Sequence, residues 1–230
     1  MRRTVCILIF LTAFFGCDTP GSLEPNETNY FLKYYGLEGE QTGVDFVVNP
    51  DGTFVLLGNS RKSVASNWQV YVVKIDAKGK IIWQKTFGGP LDEEARDIEL
   101  LKDGNLIIAA NSEKTVGERD VFLIRLSQDG IPIDSVRQGL RNGAIELDEN
   151  VSSVSEVGAG LVNPAGFIVA GSTSGGTNKP TDLSDAMHMR FTSQLVWISD
   201  AIGTWRSRPT FGNQGFEGEE SATKVVQYNP

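Results

Sequence analysis

The chain has 230 residues, 40% of them hydrophobic, and carries 21 Lys+Arg against 29 Asp+Glu for a formal net charge of −8. That acidic balance argues against nucleic acid, whose phosphates are met by clustered Lys and Arg, and no nucleic-acid partner is expected. One histidine, His188, and two cysteines, Cys6 and Cys17, leave no material for a disulfide framework, a His-rich zinc site or a Cys/His or Ser/His/Asp nucleophile system.

In chain order, Met1-Arg2-Arg3 is a positive n-region and Thr4 to Phe15 an apolar stretch too short to span a bilayer as a mature helix. This pattern predicts a signal peptide over residues 1–17. Its end, Phe14-Phe15-Gly16-Cys17, resembles the bacterial lipobox, in which the cysteine is acylated and becomes residue one. The resemblance implies attachment to a lipid bilayer through Cys17. Cys6 would leave with the leader, and an exported chain with a single thiol fits acylation better than disulfide chemistry. Residues 18–29, with two prolines, a glycine and mostly polar side chains, read as a flexible tether. No second stretch approaches the roughly 18 apolar residues of a spanning helix, so attachment rests on the lipid.

From residue 30 onward the sequence repeats. Asp51-Gly-Thr-Phe-Val-Leu-Leu-Gly-Asn-Ser60 matches Asp103-Gly-Asn-Leu-Ile-Ile-Ala-Ala-Asn-Ser112, and Ala165-Gly-Phe-Ile-Val-Ala-Gly-Ser-Thr173 is a third copy. Each copy continues into a further strand, Val70–Ile75, Val121–Leu126 and Ala186–Phe191, with a basic residue recurring at Lys74, Arg125 and Arg190. Turns follow at Asp76–Gly79 and Ser127–Gly130, then short apolar strands, Ile81–Trp83 and Leu195–Trp197. A more polar strand precedes each central one: Gly43–Val48, Ala95–Leu101 and Val151–Val157. Four short antiparallel strands per copy, with central runs apolar on both faces, predict an all-β fold of the β-propeller type. The expected blades are 41–87, 93–138 and 151–203. Residues 30–36 are expected to be the outer strand of a closing blade and 219–230 the first strand of another, so the ring is expected to continue beyond this chain.

Asp76-Ala-Lys-Gly-Lys-Ile-Ile-Trp83 resembles the tryptophan-docking motif of quinoprotein-like and kelch-like blades. Tyr35-Gly36, Phe87-Gly88 and Phe211-Gly212, each followed by acidic residues and a strand, resemble the repeats of multi-blade lipoproteins of Gram-negative bacteria. Together these likenesses span about residues 30 to 230. They imply that Trp83 and, at the matching place in the third copy, Trp197 dock structurally between blades. They imply no catalytic, cofactor-binding or metal residue.

His188 falls at the position of Val72 and Leu123 and is expected to face a neighbouring blade. Acidic residues recur before each first strand: Glu38 and Glu40; Asp92, Glu93 and Glu94; Asp148 and Glu149; Glu217, Glu219 and Glu220. They could form a rim that binds Ca²⁺ or a basic partner, or they could cap loops. Ser174–Asp185 is a long insert of the kind that can carry recognition. The expected function is a non-catalytic envelope lipoprotein at the outer membrane, a propeller platform for a protein or glycan partner, with no cofactor. The rival is a carbohydrate-active or other enzyme with catalytic carboxylates in further blades.

Overall fold

Among the residues that the computed structural model describes, 32–115, 117–142, 145–158, 165–174 and 184–198, every regular element is a β-strand and no helix occurs. Residues Met1–Tyr34 and Tyr35–Pro230 form separate units, and the described part of the first, 32–34, has no regular secondary structure. Cys17, the 18–29 tether, residues 175–183 of the Ser174–Asp185 insert and the expected 219–230 strand lie outside the described residues.

The first sheet runs β1 (Glu40–Val48), β2 (Phe54–Arg61), β3 (Gln69–Ile75) and β4 (Ile81–Phe87), antiparallel in that order. The second repeats it with β5 (Glu93–Leu100), β6 (Leu106–Thr115), β7 (Glu118–Leu126) and β8 (Pro132–Gln138). A short hairpin, β9 (Arg141–Asn142) and β10 (Ile145–Glu146), interrupts the next connection. The third sheet then has β11 (Asp148–Val157), β12 (Gly166–Ser174) and β13 (Ser184–Thr192). Where a fourth strand would join, Trp197 makes an antiparallel bridge to Phe191. Sheets of four, four and three strands with one meander order are a propeller-like, all-β arrangement.

The same local chemistry shapes each copy. In the β1–β2 and β5–β6 turns, Asp51 Oδ1 and Asp103 Oδ1 accept the N–H two residues on, from Thr53 and Asn105, both at 2.9 Å. Each first strand carries one extra residue at the same place, between Gly43 and Asp45, Ala95 and Asp97, and Val151 and Ser153. A bulge increases local twist, and a bulge repeated in register gives the three sheets the same twisted shape.

Burial follows from the stacking. Every residue of β6 from Leu106 to Ser112 is buried, because sheets cover both of its faces. One apolar layer joins the first and second sheets: Val55, Leu57, Val70 and Val72 against Ile98, Ile108, Phe122 and Ile124. The second and third sheets share another, including Ile107, Leu123, Val154, Val169, Met187 and Phe191. The far face of the first sheet carries Tyr71, Val73 and Ile75 with Tyr35 packed over them, and the Tyr35 hydroxyl donates to Gly79 O at 2.9 Å. The segment expected as an outer strand over 30–36 is described from 32 and has no strand pairing there; Tyr35 is held by its side chain instead.

Candidate functional site

Three sets of recurring polar residues operate where sheets meet. The first is the basic residue of the third strand. Lys74 reaches from β3 to the second sheet and donates to Gln128 O at 3.2 Å and Gln128 Oε1 at 2.8 Å. Arg125, its equivalent on β7, donates to Ser193 O of the third sheet at 3.2 Å and pairs with Asp103. Each cation therefore grips the turn before the fourth strand of the next sheet, supplying charge-assisted bonds to exposed carbonyls. Arg190 holds the same place on β13.

The second set is the Asn of the Asn-Ser pair. Asn59 Oδ1 accepts the Ala95 N–H at 2.7 Å, and Asn111 Oδ1 accepts the Val151 N–H at 2.7 Å. Both amides belong to bulged first strands. Asn111→Ala should cost about 1–3 kcal/mol, because it leaves the buried Val151 N–H without an acceptor; denaturant titration of the full chain measures it.

The third set is a carboxylate at the start of the first strand. Glu93, 2% exposed, accepts from Gly89 N at 2.8 Å, Gln69 Nε2 at 3.1 Å, Ser112 Oγ at 3.3 Å and Arg137 Nη2 at 3.3 Å. It ties the connection between two sheets to the strand it leads into. Glu149, the equivalent by pairing, is fully buried and accepts the Leu140 N–H at 3.2 Å.

Trp83 lies against the layer shared by the first and second sheets. Its indole N–H donates to Gln128 O at 2.9 Å, its ring lies against Gly130, and Lys85 stands 5.7 Å above it. Trp197 also packs on the layer between two sheets, but at a different place. Trp83 pairs with Lys74, whereas Trp197 pairs with Phe191, the equivalent of Ile75, and so turns toward the preceding sheet. The cause is the turn: Leu195, at φ 56°, fills the left-handed position that Gly79 and Gly130 occupy in the other copies. Leu195 is thus a turn residue with its side chain in the core, 2% exposed. Asp134 is the second-sheet counterpart of Trp83, since it pairs with Arg125.

His188 pairs with Ala170, as Val72 pairs with Leu57 and Leu123 with Ala109, which places it on the sheet face expected from the repeat. The described acidic residues do share one end of the sheets, and most are engaged. Glu40 pairs with Arg61 at 2.6 Å, Glu94 with Arg96 at 2.7 Å, and Asp148 with Arg119 at 3.2 Å. Asp92 Oδ1 accepts the Trp68 N–H at 2.6 Å, as Asp148 Oδ1 accepts the Arg119 N–H at 3.1 Å. Among the described residues no group of three or more His, Cys, Asp or Glu has the geometry to hold a metal ion. Glu217, Glu219 and Glu220 lie outside them.

At that same end a pocket of about 210 Å³ is lined by Asp92, Glu94, Asn111, Glu113, Gly117 and Arg119. Its lining is acidic, with Glu94 paired to Arg96, Asp92 bonded to the Trp68 N–H and Arg119 held by Asp148. The lining offers no thiol, imidazole or hydroxyl as a nucleophile. No protein-family model matches the chain, and no curated protein matches it in sequence.

Proposed function

We propose that the chain is a lipid-anchored, non-catalytic scaffold of the bacterial cell envelope, held at the outer membrane through Cys17 and presenting its propeller-like sheets to a protein partner. The observation that carries this reading is the use of the recurring polar residues. Lys74, Arg125, Asn59, Asn111, Glu93 and Trp83 all bond across sheet junctions, which is the chemistry of a rigid platform. A rigid array of sheets is the usual support for recognition by loops. The acidic pocket favours a partner with a basic segment over a neutral glycan. The leader supplies the anchoring half of the proposal, through Gly16-Cys17 at the end of an apolar stretch.

Expression of the full chain in a bacterial host with labelled fatty acid tests the anchor. Label should enter the wild-type protein and be absent from Cys17→Ala, which should move to the soluble fraction. Equal labelling of the two would refute the lipid anchor.

A further inference from the structure

Glu93 and Glu149 occupy the same place in successive sheets and live in opposite surroundings. Each stands at the start of a first strand, opposite a hydroxyl residue on the second, Ser112 for Glu93 and Thr173 for Glu149. Each caps the connection from the preceding sheet, through Gly89 N or Leu140 N. At the first junction a guanidinium closes the cluster: Arg137 donates to Ser112 Oγ at 2.8 Å and to Glu93 Oε1 at 3.3 Å, and Gln69 adds a further donor. At the second junction the position of Gln69 is taken by Asp120, a carboxylate. Among the described residues neither Glu149 Oε2 nor Thr173 Oγ1 has a partner of good hydrogen-bond geometry, although the Thr173 hydroxyl lies near enough to bear on the carboxyl, and both residues are buried.

We propose that the junction between the second and third sheets is closed by Glu149 as a neutral carboxylic acid, and that ionisation of Glu149 loosens it. A fully buried carboxylate needs a counter-charge or several donors, and among the described residues Glu149 accepts one N–H, that of Leu140. The charged groups bearing on it are Asp120 from β7 and Asp148 from its own strand, with Arg119 of β7 beyond them. Both are carboxylates, and Arg119 is bound to Asp148. On the neighbouring hairpin Glu146 is matched by Lys114 at 2.6 Å. Burial, reinforced by Asp120 and Asp148, pushes the Glu149 carboxyl up to about 9 from its ordinary 4.5. In the neutral form Oε2 carries a proton that it can donate to Thr173 Oγ1.

The sign follows from linkage. Between the ordinary glutamate value and about 9 the closed junction holds a proton that the open chain has lost, so stability is complete below this window and falls as pH rises through it. For one proton, opening should increase on the order of tenfold per pH unit and level off above the upper value.

Amide exchange of Leu140 and Val151 in the full chain, corrected for the intrinsic pH dependence, reads this opening. The wild type should show the tenfold rise per unit, and Glu149→Gln, a neutral isostere, should show none. Parallel pH profiles for the two proteins would overturn the proposal. If Glu149→Gln does not fold, the wild type decides through the carboxyl ¹³C signal of the glutamate in contact with the Leu140 amide. A neutral-acid shift at neutral pH supports the proposal, and a carboxylate shift refutes it.

Discussion

Arg137→Ala should destabilise the protein by about 1–3 kcal/mol, less than for a fully buried charge pair because the Arg137 side chain is 42% exposed and solvent screens its charge. Glu93 is 2% exposed, and Arg137 is its cationic partner among the described residues, also bonding Ser112 and lying 3.9 Å over the Phe122 ring. The loss therefore combines a buried carboxylate left with only the neutral donors Gly89 N, Gln69 Nε2 and Ser112 Oγ, a missing hydrogen bond and a missing cation–π contact. Most of it should come from the carboxylate. Glu93→Gln in the Arg137→Ala background should then recover a substantial part of the stability, whereas Glu93→Gln alone should destabilise. Additive losses in this double-mutant cycle would show that the two side chains do not act as a pair.

Trp83→Ala should cost about 3 kcal/mol, the low end for truncating a core aromatic, because the ring is half-buried. The ring bridges two sheets: it packs on the layer they share and donates to Gln128 O at 2.9 Å. Its seat is Gly130, where an added Cβ would lie 2.9 Å from the ring, on a backbone with φ +67°. Gly130→Ala therefore carries both a left-handed penalty of about 1–2 kcal/mol and a clash with the indole. In the Trp83→Ala background the clash disappears and only the backbone penalty should remain. The cycle should thus couple by about 1 kcal/mol or more, and strict additivity would place Trp83 away from the second sheet.

The repeat was legible because its turns and its central strands are written in residue types with narrow preferences. Asp51-Gly52 and Asp103-Gly104 mark the first turn, and the apolar runs after them can be buried on both faces only between stacked sheets. The tryptophan motif likewise singled out Trp83, whose indole N–H donates to Gln128 O of the second sheet. The third copy was harder, because Leu195 occupies a left-handed turn position without the glycine that announces it. Reading Leu195–Trp197 as strand shifted the register by two residues and matched Trp197 to Trp83, when its true counterpart is Ile81. The junction chemistry was visible only as recurrence. Lys74 and Arg125 were seen to repeat, but their acceptors lie 54 and 68 residues away at Gln128 and Ser193, a separation that no local pattern encodes. The acidic residues left a rim and loop caps both open, and the register makes most of the described ones caps and ion pairs.

Amide hydrogen exchange at Ala95 and Val151 of the full chain tests most directly whether the recurring polar residues are docking elements. Both amides bond to an asparagine of the preceding sheet, at 2.7 Å each. Their protection therefore requires the sheets to be stacked as described. Both should exchange as slowly as the ladder amides of β6, and Asn59→Ala should release Ala95 while leaving Val151 protected, with Asn111→Ala doing the reverse. Fast exchange of both amides in the wild type would contradict the stacking on which the platform reading depends.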